Sequence, residues 1–256
     1  MQIKRFHGWS LLASLPLVCF VAPSMADEGW GGTIGAGAIY APDYVGSDDY
    51  EIRAWPAVTL TYGDRFYLNS LGGLGWNAIT RGSWKVSPFI SYTRGRDNDH
   101  DLSRLDKVDG GATAGLRVAY TNGAWTYTGD AQTPFTGDMD GQQFSLKARW
   151  QGRLGKQWFA SLGPSLTYSS ADWTNDMFGI SSRESVRSGL RSYDSDDGYL
   201  RFRLGGSLSY QLTSDWSITG LASVSQLTGD AKDSPIVDDI GDVTQAYLGA
   251  FVNYKF

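Results

Sequence analysis

Thiol, zinc and proton-transfer chemistry draws mostly on cysteine and histidine, and this chain of 256 residues holds one Cys, Cys19, and two His, His7 and His100. Residues 1–26 are expected to be a secretory signal peptide: Lys4-Arg5, then an apolar run from Trp9 to Val21, then Ser24-Met25-Ala26, with cleavage after Ala26. The run is too short, and too broken by Pro16, for a permanent bilayer helix of about 20 residues. Leu17-Val18 before Cys19 do not suit a lipoprotein anchor. Cleavage removes Cys19 and His7 together, so neither a thiol nucleophile nor a zinc site with convergent Cys and His ligands is left.

His100 remains, in Asp97-Asn98-Asp99-His100-Asp101 with Ser103 as the nearest hydroxyl. A general base needs a substrate proton within reach and a partner that orients it. A single histidine in an acidic loop reads more simply as a solvated side chain. Asp194, Asp196 and Asp197 before Gly198, and Asp238, Asp239 and Asp242, suggest calcium, but no complete D-x-[DN]-x-[DN]-G loop is present and the ion needs six or more oxygens. Gly35-Ala36-Gly37 lacks the third glycine and the following helix of a dinucleotide site; small residues there suit a first strand closing against the last. The chemistry-bearing residues thus point away from an enzyme, a metal and a cofactor.

The elements that carry these residues show a period of two. In 201–212, Phe202, Leu204, Leu208, Tyr210 and Leu212 share one parity and Arg201, Arg203, Ser207, Ser209 and Gln211 the other, which is a strand with one greasy and one polar face. The same pattern runs through 143–151 and 158–169, and in weaker form through about 31–40, 52–61, 64–70, 73–81, 84–95, 110–121, 124–132, 215–227 and 245–256. The expected fold of 27–256 is all-β, a transmembrane antiparallel up-and-down barrel of about 12 strands. Tight turns near Gly63-Asp64, Arg81-Gly82-Ser83, Asn122-Gly123, Leu154-Gly155-Lys156 and Thr213-Ser214-Asp215 alternate with long polar segments at about 41–51, 96–109, 133–141, 170–199 and 228–244. Short periplasmic turns opposite long outer loops are the usual asymmetry of such barrels. A soluble β-sandwich, the main rival, has less use for the aromatic residues that crowd the strand ends.

On the polar parity the charges are mostly positive: Lys85, Arg117, Lys147, Arg149, Arg201, Arg203 and Lys255 are expected to face the lumen. Two readings stay open. A basic lumen can favour anionic solutes, or these cations can pair with inward-folded acidic loops or lie at the rims. The net charge of −5, lowered by two more when Lys4 and Arg5 leave, makes nucleic acid a poor partner. Leu248, Val252, Tyr254 and Phe256 form the greasy face of the last strand, an expected signal for the barrel-insertion machinery. Outer-membrane lipid and lipopolysaccharide are then the surroundings.

Specific segments carry a family resemblance. Tyr40-Ala41-Pro42-Asp43-Tyr44-Val45-Gly46-Ser47, Arg65-Phe66-Tyr67-Leu68, Tyr92-Thr93-Arg94-Gly95-Arg96, Met177-Phe178-Gly179-Ile180-Ser181 and Ser188-Gly189-Leu190-Arg191-Ser192-Tyr193 resemble the MltA-interacting protein/OmpV family of outer-membrane proteins from about residue 30 to Phe256. The resemblance implies a non-enzymatic outer-membrane protein that in some members scaffolds murein synthesis, bridging a lytic transglycosylase and a penicillin-binding protein, and in others is linked to adhesion or to antibiotic and osmotic responses, with no catalytic residue to carry over. The alternative is a small-solute channel with a basic lumen.

Overall fold

The computed structural model describes residues 29–256, so the expected signal peptide lies outside the described residues. The strands are β1 (Trp30–Pro42), β2 (Tyr50–Tyr62), β3 (Phe66–Asn69), β4 (Gly73–Trp76), β5 (Ile79–Arg81), β6 (Trp84–Thr93), β7 (Gly111–Asn122), β8 (Trp125–Pro134), β9 (Gln143–Arg153), β10 (Trp158–Ser169), β11 (Tyr199–Gln211), β12 (Trp216–Leu227) and β13 (Thr244–Lys255). Apart from β4 and β5, which do not pair with each other, each pairs antiparallel with its neighbours in sequence; β1 pairs with β13, and β4 pairs directly with β6. β4 and β5 are two pieces of one wall strand stepped at Asn77-Ala78, because Leu74 opposes Ile90 whereas Ile79 opposes Val86. The wall is therefore a closed barrel of 12 antiparallel strands.

The alternation read in the sequence has a physical outcome on this wall. Leu146, Leu162, Leu204 and Leu248 are each more than half exposed on the outside, while their polar neighbours Lys147, Ser161, Arg203 and Gln245 face inward. Such an outer surface is stable only where lipid covers it. Tilted and stacked aromatic pairs ring it at two heights. Trp30–Tyr62 (5.3 Å), Trp84–Tyr120 (4.7 Å), Trp158–Tyr210 (4.8 Å) and Trp216–Tyr254 (5.1 Å) lie at the end with short turns. Tyr40–Tyr50 (5.1 Å) and Phe144–Tyr168 (6.5 Å) lie at the end with long loops. These are the interfacial girdles of a membrane barrel.

Two local features depart from the expected pattern. The strand expected over 64–70 is cut to Phe66–Asn69 and the one expected over 73–81 is stepped at Asn77-Ala78; Asn69 turns the chain between them, its Oδ1 accepting the N–H groups of Leu71 (2.9 Å) and Gly72 (3.1 Å), which ends the ladder of β3. Secondly, the inner face is partly apolar. Ile39, Trp55, Ala57, Tyr247 and Phe251 form a buried cluster on β1, β2 and β13, with Leu71 packed on it.

The seam between the first and last strands depends on a small residue. Gly37 opposes Phe251, and a Cβ there would lie 2.1 Å from the carbonyl oxygen of Ala250 and 2.6 Å from the Phe251 ring. Gly37→Ala is expected to cost about 1–3 kcal/mol through overpacking. The temperature at which the detergent-solubilised barrel loses its compact electrophoretic migration should fall accordingly; an unchanged temperature would contradict this seam.

Candidate functional site

Inside the wall lies a cavity of about 920 Å³. Its floor and sides come from the inward parity of β2, β3, β6–β11 and β13. Arg117 on β7 and Lys147 on β9 converge on Asp130 of β8, with Arg117 Nε donating to Oδ1 (2.6 Å) and Lys147 Nζ to Oδ2 (2.7 Å). The Asp130 side chain is only 8% exposed. Arg117 also lies over the Phe89 ring (4.7 Å) and donates to the Tyr67 hydroxyl (3.0 Å). Next along the wall come Arg149, Arg201 and Arg203, the last over the Tyr247 ring at 5.1 Å. Among the described residues no carboxylate lies within ion-pair distance of Arg149 or Arg201. Arg201 is nevertheless buried. The cationic wall faces the apolar cluster across the cavity.

The structure divides the basic residues singled out in the sequence. Arg117, Lys147, Arg149, Arg201 and Arg203 line the cavity. Lys85 sits lower, 3.8 Å from Asp64 of a short turn, and Lys255 lies at the same end, its N–H donating to the Asp215 carbonyl (2.8 Å). Leu248 and Val252 point outward from β13, Tyr254 packs on Trp216, and Phe256 is exposed.

The long loops close over the other end. They fold into α1 (Ala171–Phe178), α2 (Ser182–Ser188), α3 (Asp230–Asp233) and α4 (Pro235–Asp238), with a 3₁₀ turn at His100–Leu102. Leu102, Leu105, Met139, Trp173, Phe178, Ile180, Ile236 and Val237 form one buried cluster, joined by Tyr44 and Val45. Loops leaving opposite sides of the barrel meet in this cluster, so it is a cap across the mouth. Trp173, Met177 and Ile236 form the roof of the cavity.

A buried ion pair ties the cap together. Arg96 and Glu184 meet at 3.1 Å, their side chains 5% and 7% exposed. Arg96 Nη1 donates to the Gly179 carbonyl (2.8 Å) and Nη2 to the Asp106 carbonyl (3.2 Å). Glu184 accepts from the Asp106 N–H (2.9 Å), the Ser181 N–H (2.8 Å) and the Ser181 hydroxyl (2.6 Å). Burial alone would raise the Glu184 carboxyl. The hydrogen bonds from Ser181 and Asp106 and the Arg96 charge outweigh it and hold the group below its ordinary value. Asp176, also in the cap, is shifted upward, chiefly by burial.

His100 projects into solvent, 69% exposed, with Asp43 Oδ2 3.9 Å away. Of the loop aspartates, Asp242 Oδ1 accepts the Thr244 N–H (2.7 Å), and the Asp197 N–H goes to Asp230 Oδ2 (2.7 Å). Among the described residues no three His, Cys, Asp or Glu side chains converge in a metal-binding group.

Three residues of this site escape a reading by parity and composition. Asp130 is an acid on the otherwise basic inner face; its parity on 124–132 was available as a signal. Glu184 stands three residues after Ser181, the spacing of a capping box, and the structure contains that box. Arg96 has no local signal, because its partner lies 88 positions away.

Comparison with known proteins adds the following. Residues 34–256 match the model of a family described as MltA-interacting protein MipA. The MltA-interacting protein of Escherichia coli (strain K12) is 30% identical over 217 residues, which cover 81% of this chain and 84% of that protein. The putative outer membrane protein YiaT of the same strain is 26% identical over 230 residues, 86% of this chain and 88% of that one. Among solved structures, the NanC porin aligns over 88% of this chain and 100% of its own, at 9% identity and a TM-score of 0.46.

Proposed function

The chain belongs to the MltA-interacting protein MipA family, and on that premise we propose that it is a non-enzymatic scaffold of the cell envelope. Its barrel sits in the outer membrane, and its short-turn end faces the periplasm and docks a lytic transglycosylase, and with it a penicillin-binding protein. The observation that carries this reading is the cap. Loops from around the rim pack a hydrophobic cluster over the mouth, which suits a closed barrel holding partners better than an open pore. The turn end offers protruding apolar side chains for contact, with Leu154 53% and Leu212 47% exposed.

The test is co-purification. A transglycosylase captured by the intact protein should be lost when the turns around 63–65, 154–157 and 212–215 are replaced together by Asn-Gly turns. Capture that survives these replacements would rule out docking through these three turns. A second reading, a small-solute channel for anions, draws on the cavity cations Arg149 and Arg201. Conductance across a planar bilayer separates the two: the scaffold reading expects none with the cap intact, whereas a channel expects steady anion-selective current.

A further inference from the structure

The barrel wall is incomplete on one side. β2 runs the full height, but its pairing with β3 stops at Thr59↔Asn69, and the last contact above it is Val58, whose N–H goes to Ser70 Oγ (2.7 Å) and whose carbonyl accepts the Ser70 N–H (2.9 Å). On the other side, β4 reaches β6 only as far as Ile90. From Tyr50 to Ala57 β2 has no strand partner on its β3 side, a stretch of roughly 25 Å at about 3.3 Å per residue. Below this gap the Ser70-Leu71-Gly72 turn forms a sill. Within that stretch, Arg53 Nη2 holds Asp43 Oδ1 (2.7 Å) and His100, from the segment that follows β6, approaches Asp43 (3.9 Å), so the gap is bridged there and its open part, the window, lies between Arg53 and the sill.

The cavity passes through this window. Its lining includes inward-facing Thr59, Phe89 and Tyr247, but also Pro56, Leu74, Ile90 and Tyr92, whose side chains are on the lipid-facing parity. One void bounded by both faces of a wall crosses that wall. The sill lies below the mid-height of β2, so the window opens at the depth of the leaflet on the loop side.

Backbone chemistry says what the opening tolerates. Ladder alternation sends the N–H and C=O groups of Ile52 and Ala54 toward the same edge as those of Val58, and position 56 on that edge is proline, which has no N–H to strand. Free backbone groups facing hydrocarbon cost several kcal/mol each and persist only beside water or polar atoms. The rim, with Ile52, Leu74, Ile90 and Tyr92 all more than half exposed, is greasy. Immediately inside are the apolar Trp55, Leu71 and Tyr247, and across the cavity stand Arg149 and Arg201 without a carboxylate. Arg201 is buried and Arg149 half-buried, and a guanidinium so placed beside a cavity favours an anion. The void falls within the range of about 300–1,000 Å³ typical of small-molecule sites.

We infer that this window admits an anionic membrane lipid from the surrounding leaflet, its headgroup reaching Arg149 and Arg201 and an acyl chain lying along Trp55, Leu71 and Tyr247 out through the gap. The inference rests on the barrel's place in lipid and not on any scaffolding role, so either can fail without the other.

The experiment uses the purified barrel in phosphatidylcholine vesicles doped with phosphatidic acid that carries a diazirine on one acyl chain. After irradiation, adducts are mapped by mass spectrometry, and the same labelled chain on phosphatidylcholine is the control. Adducts are expected on Trp55 and Tyr247 with the anionic probe. They should fall about tenfold in R149Q/R201Q, as loss of charge-assisted contacts requires, with outer-face adducts on Ile52 and Leu74 retained as the sign of a folded, inserted wall. Gly72→Trp should block the window, since a Cβ there meets only Arg117 Nη1 at 3.6 Å and Asn69 at 3.7 Å; Gly72→Leu serves if the larger residue prevents folding. Labelling confined to the outer face, interior labelling equal for both headgroups, or interior labelling insensitive to both Gly72 variants would overturn the inference. So would full loss of the parent's interior signal at millimolar inorganic phosphate, which would assign the cations to a soluble anion.

Discussion

Replacing Glu184 with alanine is expected to unlatch the cap while leaving the barrel standing. The Arg96–Glu184 pair is almost wholly buried, and removing one partner of such a pair typically costs about 3–5 kcal/mol, because the other charge is left in a dry place without compensation. The loss is local to the cap: Glu184 also accepts from Ser181 and Asp106, so α2 and the 96–108 bridge loosen together. Trypsin supplies the readout. Arg183 and Arg187 on α2 become cleavable, and the rate should rise on the order of a hundredfold or more where opening is fast relative to cutting. The temperature of barrel unfolding should move little. An unchanged cleavage rate would show that the apolar cluster alone holds the cap.

The same pair sets the pH response. The Glu184 carboxyl is held below its ordinary value in the folded cap, so its contribution is fully present above the ordinary glutamate range and disappears as pH falls through the lowered folded value. Asp176, shifted upward, acts in the opposite sense over the range just above that. The cap is therefore expected to stay closed at neutral pH and to become protease-sensitive only in acid below the ordinary glutamate range, where pepsin, active in acid, supplies the readout. Glu184→Gln should abolish that acid dependence.

The second large effect belongs to Asp130. Its carboxylate serves Arg117 and Lys147 at once, at 2.6 and 2.7 Å, and Asp130→Asn leaves two neighbouring cations facing each other beside Arg149. A loss of about 3 kcal/mol is expected, the low end of the range for broken buried pairs, because both cations keep some contact with the cavity. Multivalent anions should reverse it: millimolar sulfate ought to restore most of the unfolding temperature in the variant and do little for the parent, since a bound anion replaces the missing carboxylate by mass action. A variant as stable as the parent, with or without sulfate, would mean that Asp130 does not balance this wall.

How much of the site was legible follows from the range of the interactions involved. Arg117, Lys147, Arg149, Arg201 and Arg203 could be aimed inward from parity alone, because side-chain direction on a strand repeats every two residues whatever the partner strand is. Parity placed Lys85 and Lys255 on the same face, but not their height on the wall, which decides whether a residue lines the cavity or sits at the turn end. Height depends on register, and register is a relation between strands. The inward Trp55, Tyr247 and Phe251 break the simple greasy-out, polar-in rule. They are held by contact with Ile39 and Leu71, which no single segment reveals.

The amino-acid sequence by itself determined the class of the fold, the approximate number of strands and the alternation of short turns and long loops, because each of these is written in local periodicity and turn chemistry. Tertiary structure alone decided that the loops pack into a cap held by Arg96 and Glu184, that Asp130 balances two wall cations, and that β3 and β4 stop short and leave a window. Those outcomes rest on contacts between residues tens of positions apart, whose free energy exists only after the wall has closed and brought them together.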